Sequence, residues 1–286
     1  MDIAGLIPSD RNVEGVVEMM LDSTRNYIQP ISTKRLFDWH AAMFPTGRSG
    51  MYEIVVGAWR DNTKDDPIQV VSGPLGLERV HYQAPDADNI NEMMADFIAW
   101  FNSDVSIDSV LKAAIAHIWF VTIHPFDDGN GRISRAITDM QLARSDNSSQ
   151  RFYSMSSQIR QERKAYYAIL EKTQRGDLDI TGWLSWFIDS FNHSLRATTE
   201  ILSGILNKAS FWEEHSSTTL NQRQGKVLNK LFDGFDGKLT TSKWAKICKC
   251  SQDTGGRDIN ELITLSILIK SPEGGRSTSY LLKDRF

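Results

Sequence analysis

Along the first two hundred positions apolar residues recur at intervals of three and four, the period of an α-helix with one face on a core. Val16, Val17, Met20 and Leu21 make one such stripe within Val13 to Asn26. Lys34 to Met43, Ile90 to Asn102, Ile107 to Thr122, Arg132 to Arg144, Ser157 to Gln174 and Thr181 to Lys208 extend the pattern and predict a mainly α-helical body. Ile107 to Thr122 is apolar on nearly every side, as a central helix buried all round would be. Strand signals are few. Met51 to Trp59 carries β-branched Ile54, Val55 and Val56 after the breaker-rich PTGRSG, and Gln69 to Val71 lies just before SGP. Together they predict a small β-hairpin projecting from the helices.

The polar stretch 213–221 reads as a linker, and the pattern changes beyond it. Helices are expected over Gln222 to Leu231, Thr241 to Ile247 and Ser251 to Leu265, followed by ILIK, the turn SPEGGRS and TSYLL. Three helices and a hairpin predict a winged helix-turn-helix at 222–286. The expected division is therefore an N-terminal helical segment 1–30, a helical core 31–212, the linker and this tail. Residues 216–286 hold 12 Lys and Arg against 7 Asp and Glu, a charge of +5, whereas the rest of the chain carries -9.

Composition excludes disorder: of 286 residues 41% are hydrophobic and 24% charged. A net charge of -4 is too balanced for a chain that coats nucleic acid or acidic lipid over its whole surface. Cys248 and Cys250, separated by one residue, suit neither an ordinary structural disulfide nor a four-ligand zinc site, which points to a reducing cytoplasm. With no cationic leader and no apolar run of about 18 residues, neither secretion nor a membrane span is expected.

The chemistry concentrates after Ala113, in AAIAHIWFVTIHPFDDGNGRISRAITDM. An apolar helix leads into a glycine-rich loop that starts another helix, a layout that makes an anion site. Backbone N–H groups around Gly129 and Gly131 can turn inward together, and the helix that follows adds the positive end of its dipole. Arg132 and Arg135, three apart, face the same side and can hold further phosphate oxygens. A polyphosphate is the expected guest. Asp128 would then sit beside phosphates, a place that suits a carboxylate when Mg2+ bridges them. His124 is the nearby side chain with an intrinsic pKa suited to taking a proton near neutrality.

His124 to Arg135, HPFDDGNGRISR, resembles the signature of the Fic family, His-x-Phe-x-Asp/Glu-Gly-Asn-Gly-Arg-x-x-Arg, at every specified position. The resemblance runs from about the first helix to Asn192, and the tail is similar to the winged helix of many bacterial Fic proteins. It implies a Fic-type core acting as a protein adenylyltransferase, which moves AMP from ATP to a Ser, Thr or Tyr hydroxyl and releases pyrophosphate. Carried over, His124 is the general base, Phe126 anchors the loop and Asp128 holds magnesium. Gly129, Asn130 and Gly131 form the phosphate cradle, and Arg132 grips the outer phosphates. The small residue at Gly131 favours AMP transfer over phosphorylation. The resemblance also implies a flap that docks the target by strand pairing, assigned to Met51–Trp59, and an adenine slot lined by Tyr166 and Tyr167.

DRNVEG, Asp10 to Gly15, resembles the family's inhibitory Ser/Thr-x-x-x-Glu-Gly/Asn motif, with Asp10 departing from Ser or Thr and Glu14 and Gly15 matching. The implied brake is a latch from Glu14 to Arg135 within the chain. Other residues invite plainer readings: His117 as a packed core histidine, and Trp183, Trp186 and Phe187 as a packing stripe. Lys243, Lys246, Lys249, Arg257 and Arg276 would favour DNA contact through the tail, against which Gly255 and Gly256 weaken a recognition helix by about 1 kcal/mol each. Rival functions are a DNA-binding regulator with a nucleotide-sensing Fic core, and AMP removal at the same site. Self-modification, protein contact through the tail and a homodimer through 157–208 also stay open as partners.

Overall fold

Helix α4 (Ser109–Ile123) lies at the centre because it has apolar side chains to give on both sides. Ala116, Phe120 and Ile123 join one buried cluster, with Met19, Leu36, Met43, Phe97, Phe101 and Phe126. Ala113, Ala114, Ile118 and Val121 join a second, with Met155, Ile159, Tyr166, Trp183 and Phe187. Burying each such large apolar side chain stabilises by about 1.5–3 kcal/mol, so a helix shared by two clusters is held from both. The computed structural model describes residues 11–74, 77, 79–272 and 278–283, excluding the side chains of Arg11 and Asn12. It divides into two compact units, 1–197 and 198–286.

In the first unit, α1 (Arg11–Arg25) packs on α2 (Thr33–Met43) and on α5 (Asn130–Asp146), α3 (Ile90–Asn102) packs on α4, and α4 packs along α5. Gly15 is what lets α1 close on α2: a Cβ there would lie 1.8 Å from the Ala42 carbonyl oxygen. Starts are set by side-chain caps, Ser32 for α2 and Asp108 for α4. The region expected as one helix over Ser157 to Gln174 is two, α6 (Met155–Gln161) and α7 (Arg163–Arg175). No glycine or proline marks the break. At Glu162 the carboxylate instead accepts hydrogen bonds from Ser190 Oγ (2.7 Å) and His193 Nδ1 (2.8 Å), both on α8 (Thr181–Glu214).

Three two-stranded antiparallel pairs complete the described residues. The expected pairing of Met51–Trp59 with Gln69–Val71 does not occur. Strand β1 (Arg48–Ser49) meets β2 (Tyr52–Glu53), while β3 (Gln69–Ser72) pairs with β4 (Arg79–Gln83), with a register shift between Val70 and Val71. Residues 54–60 are loop, because Ile54, Val56 and Trp59 pack against the first core cluster rather than lying on a pleated face.

The second unit holds the end of α8, then α9 (Gln222–Phe232), α10 (Thr241–Cys248), α11 (Gln252–Thr264) and the hairpin β5 (Leu268–Lys270) with β6 (Tyr280–Leu282). Asn221 and Gln224 cap α9 reciprocally. Gly255 has a packing reason, since a Cβ there would stand 3.0 Å from Trp244 Cδ1 where α11 crosses α10. Cys248 and Cys250 are free thiols. Arg276 lies outside the described residues. Among those described, no helix is long and apolar enough to cross a membrane.

Candidate active site

Between α4 and α5 the loop 124–129 borders a cleft of about 980 Å³. Its walls are β3 and β4 (Val70, Val71, Ser72, His81, Tyr82), the loop and α5 (His124, Asp128, Gly129, Gly131, Arg132, Arg135), and α7 (Arg163, Lys164, Tyr166, Tyr167, Glu171, Gln174). Apart from buried Asn130, the expected nucleotide residues, which are scattered from His124 to Tyr167 in sequence, therefore share one cleft.

His124 ends α4 in the left-handed region at φ 53°, its N–H donating to Phe120 O (3.1 Å). Such a backbone is strained for a residue with a Cβ and costs on the order of 1 kcal/mol or more. It turns the ring toward the cleft. His124 Nδ1 lies 3.2 Å from Val121 O, a partner that can only accept, so Nδ1 carries the hydrogen and Nε2 keeps its lone pair. Burial pushes the imidazole below its ordinary value, helped by the Arg60 charge and opposed by the Val121 contact and Asp128. A neutral base results at neutral pH.

The loop is held from outside by the segment 40–60. Arg60, 3% exposed, donates from Nε to His124 O (2.8 Å) and from its backbone N–H to Pro125 O (3.0 Å). Val55 N–H donates to Asp127 Oδ2 (2.8 Å). His40 accepts from Gly57 N–H at Nδ1 (3.3 Å), which leaves Nε2–H to donate to Asp128 O (3.2 Å), and its ring stacks on Phe126 at 4.2 Å. Phe126 is fully buried. Asn130 points inward too: its amide donates to Phe126 O (2.7 Å) and accepts from Phe126 N–H (3.0 Å). Its side chain is thus a staple. Of Met51–Trp59, expected as the flap, the part from Ile54 to Trp59 belongs to this buttress while Met51 and Tyr52 are exposed, and the hairpin that lines the cleft is β3–β4. His40, Ser49 and Arg60 were not singled out by sequence, since each meets the loop across 64 to 88 residues with no local spacing to betray it.

Gly129, at φ 88°, leads into α5, and a Cβ on it would press within 3.0 Å of Met43 and Phe44. The Arg132 and Ile133 N–H groups return to Gly129 O (2.9 Å each). Those of Asn130 and Gly131, first in the helix, have no protein acceptor among the described residues. Arg132 sits over the Phe44 ring and donates to Asp128 Oδ2 (3.1 Å). Arg135 reaches back over Gly131, whose added Cβ would be 3.6 Å from Arg135 Nη1. Burial would raise the Asp128 carboxyl, but Ser49 Oγ (2.5 Å), the Gly129 N–H (2.5 Å) and Arg132 together hold it below the usual range and ionised. The described residues contain no cluster of three or more metal-ligating side chains. One ionised carboxylate beside a polyphosphate is nonetheless the donor set Mg2+ uses when phosphates and waters complete its shell, so Asp128 fits that ion.

A buried relay runs behind the cradle. Thr138 Oγ1 donates to Ser134 O (2.8 Å) and accepts from His117 Nδ1 (2.9 Å), so His117 Nε2 accepts the Tyr166 hydroxyl (2.9 Å). Burial and the Arg135 charge push His117 down to about 3, and it stays neutral as the core residue expected. Tyr166 is 3% exposed and Tyr167 51%, with Arg163 over the Tyr167 ring. Trp183 and Phe187 are fully buried, as a packing stripe should be, and Trp186 is half-buried beside Trp183. Glu14 is exposed on the first turn of α1, and Asp10 lies outside the described residues.

The Fic/DOC family model matches residues 30–142, which include the loop and its buttress. Residues 30–142 are a Fic domain. Protein adenylyltransferase fic-1 of Caenorhabditis elegans is 36% identical over 118 residues, 40% of this chain and 22% of that protein. Protein adenylyltransferase Fic of Drosophila willistoni is 35% identical over 118 residues, with 40% and 22% covered. The chain thus spans about a fifth of the length of these curated relatives. Among solved structures, a Fic family protein from Desulfovibrio desulfuricans G20 superposes with a TM-score of 0.52 at 16% identity, covering 99% of this chain and 78% of that one. A C. elegans Fic-1 fragment gives 0.51 at 21%, covering 71% and 55%. At these identities the two structures establish the Fic fold.

Proposed function

We propose that the chain is a protein adenylyltransferase that moves AMP from ATP to a hydroxyl of a target protein. The observation that carries this reading is convergence on one cleft: a neutral imidazole with its Nε2 lone pair available, two orphan N–H groups, Arg132, Arg135 and an ionised carboxylate. His124 Nε2 takes the proton of the incoming hydroxyl as its oxygen bonds to the α-phosphorus and the bond to the β-phosphate oxygen breaks. Asn130 and Gly131 N–H groups and Arg132 neutralise the phosphate chain and the departing pyrophosphate. Asp128 would hold Mg2+, which when bound supplies further charge neutralisation there. Tyr167, exposed on the cleft wall, offers a ring face to adenine, whereas Tyr166 backs it through His117. A target segment can add to the β3–β4 hairpin by strand pairing.

Glu14 is proposed as the brake. Gly15 touches Ala42 and Met43, Met43 and Phe44 touch Gly129, and α1 packs on α5, so the start of α1 is continuous with the cradle through direct contacts. A carboxylate offered to Arg135 removes that arginine from the nucleotide's outer phosphate. The test is label transfer from α-labelled ATP with magnesium to other proteins: wild type low, Glu14→Gly at least tenfold higher, Glu14→Gly with His124→Ala abolished. Label on those proteins that ignores His124, or its absence with Glu14→Gly and ATP bound, overturns the reading.

The tail supports a second, separable role. Its order of three helices and a hairpin suits the winged helix expected from sequence, and Lys246, Lys249 and Arg257 are exposed on α10, its C-cap and α11. Duplex DNA is expected to bind in a salt-dependent manner, and Arg257→Glu to weaken it; binding indifferent to salt would reject that role.

A further inference from the structure

The cleft holds a second hydroxyl–imidazole–carboxylate chain away from His124. Ser72, at the end of β3, places Oγ 2.5 Å from His81 Nε2 on β4. His81 Nδ1 lies 2.7 Å from Glu171 Oε2 on α7, and all three residues line the cleft. Glu171 is also gripped by Arg79 (2.7 Å) and Arg175 (3.2 Å). Hydrogen bonds from His81 and Arg79 hold its carboxyl below the usual range, so it only accepts. His81 Nδ1 must then carry the hydrogen, and its Nε2 lone pair receives the Ser72 O–H. A nucleophile on a base that a third group orients is the arrangement that activates a hydroxyl. A tether between hairpin and α7 would need only the Arg79 ion pair. Of the cleft's tyrosine hydroxyls, Tyr82 donates to Thr122 O (2.6 Å) and buried Tyr166 to His117 (2.9 Å), while that of exposed Tyr167 has no imidazole bonded to it among the described residues. Ser72 is exposed.

We propose that Ser72 is an acceptor within the chain for the nucleotidyl group, with His81 as its base. The inference rests on the cleft binding a nucleoside triphosphate as proposed above. Ser72 Oγ bonds to the α-phosphorus, the α-phosphorus to bridging-oxygen bond breaks, pyrophosphate leaves, and the Ser72 proton passes to His81 Nε2. The product carries a bulky anion on the hairpin edge, where a target strand would pair, and so limits further target docking.

The test uses the full chain with Glu14→Gly, incubated with ATP and magnesium, digested, and mapped by peptide mass, with ATP binding followed by calorimetry. An AMP adduct is expected on Ser72. It should be lost with Ser72→Ala, return with Ser72→Thr, fall at least tenfold with His81→Gln, and survive His124→Ala. ATP binding with His124-dependent adducts on other residues and none on Ser72 overturns this proposal and leaves the transferase reading standing. A Ser72 adduct that needs His124 and ignores His81→Gln also overturns it. Absence of ATP binding removes both.

Discussion

Residues 49–60 and the hairpin 69–83 each carry three β-branched residues, two of them adjacent valines, and both lie upstream of the signature loop. One holds the loop from behind, and the other walls the cleft in front of it. The difference lies in where their backbone groups find partners. Val70 and Val71 pair with Tyr82 and Val80 across a ladder, whereas the Val55, Gly57 and Arg60 N–H groups go to Asp127, His40 and Pro125. Composition reports that a segment tolerates extended backbone; it does not report which acceptor is nearby.

The contrast predicts that buttress lesions act through stability and loop geometry, while lesions at the hairpin's exposed apolar positions act on target recognition. Phe126→Ala, at the centre of the buttress contacts, is expected to cost about 3–5 kcal/mol, read by urea unfolding. A loss below about 1 kcal/mol would mean the loop is not anchored there. Arg60→Met removes the Nε donor to His124 O, and the donors to Asn62 and Pro85, while keeping the buried stem. It should cost about 1.5–3 kcal/mol and lower transfer more than tenfold, measured as label incorporation at saturating ATP. Equal activity would cut the buttress out of catalysis.

Acid separates the loop from the core behind it. His117 is held near 3 when folded and titrates near 6.5 when unfolded, so the unfolded chain binds the extra proton. The contribution is absent above about pH 6.5, and stability should fall by about 1.4 kcal/mol per pH unit below it until pH approaches 3. His117→Gln should flatten that slope in unfolding measured from pH 7 to 4. His124 is shifted the same way, so the acid limb of transfer is expected below the ordinary imidazole value. The smallest stability effect belongs to the hairpin: Val71→Asp, at a position 48% exposed, should change stability by less than about 0.5 kcal/mol yet weaken target labelling. Unchanged labelling would remove the hairpin from target docking.

Much of this was readable in advance. The helix expected at Ile90 to Asn102 is observed with those bounds, and His124 to Arg135 declared its chemistry because each position in a short loop has a local task. What sequence did not reveal depends on distant partners. RVHYQ, which became β4, is too polar to stand out as a strand until Gln69–Ser72 lies beside it. The break falls at Glu162, whose carboxylate is held by Ser190 and His193 from a distant helix. Asn130 matched the signature as a cradle residue, and only the folded loop assigns its side chain to Phe126. Gly255, costly in an isolated helix, is the contact point with Trp244.

The central claim is that His124 acts as base on a nucleotide held by the Gly129–Arg135 turn. Its most direct test is the rate of AMP transfer from α-labelled ATP by Glu14→Gly, compared with Glu14→Gly carrying His124→Ala, with ATP affinity measured in both. The account predicts similar affinity and a loss of at least a hundredfold in rate for label outside Ser72. Similar affinity with an unchanged rate would contradict it.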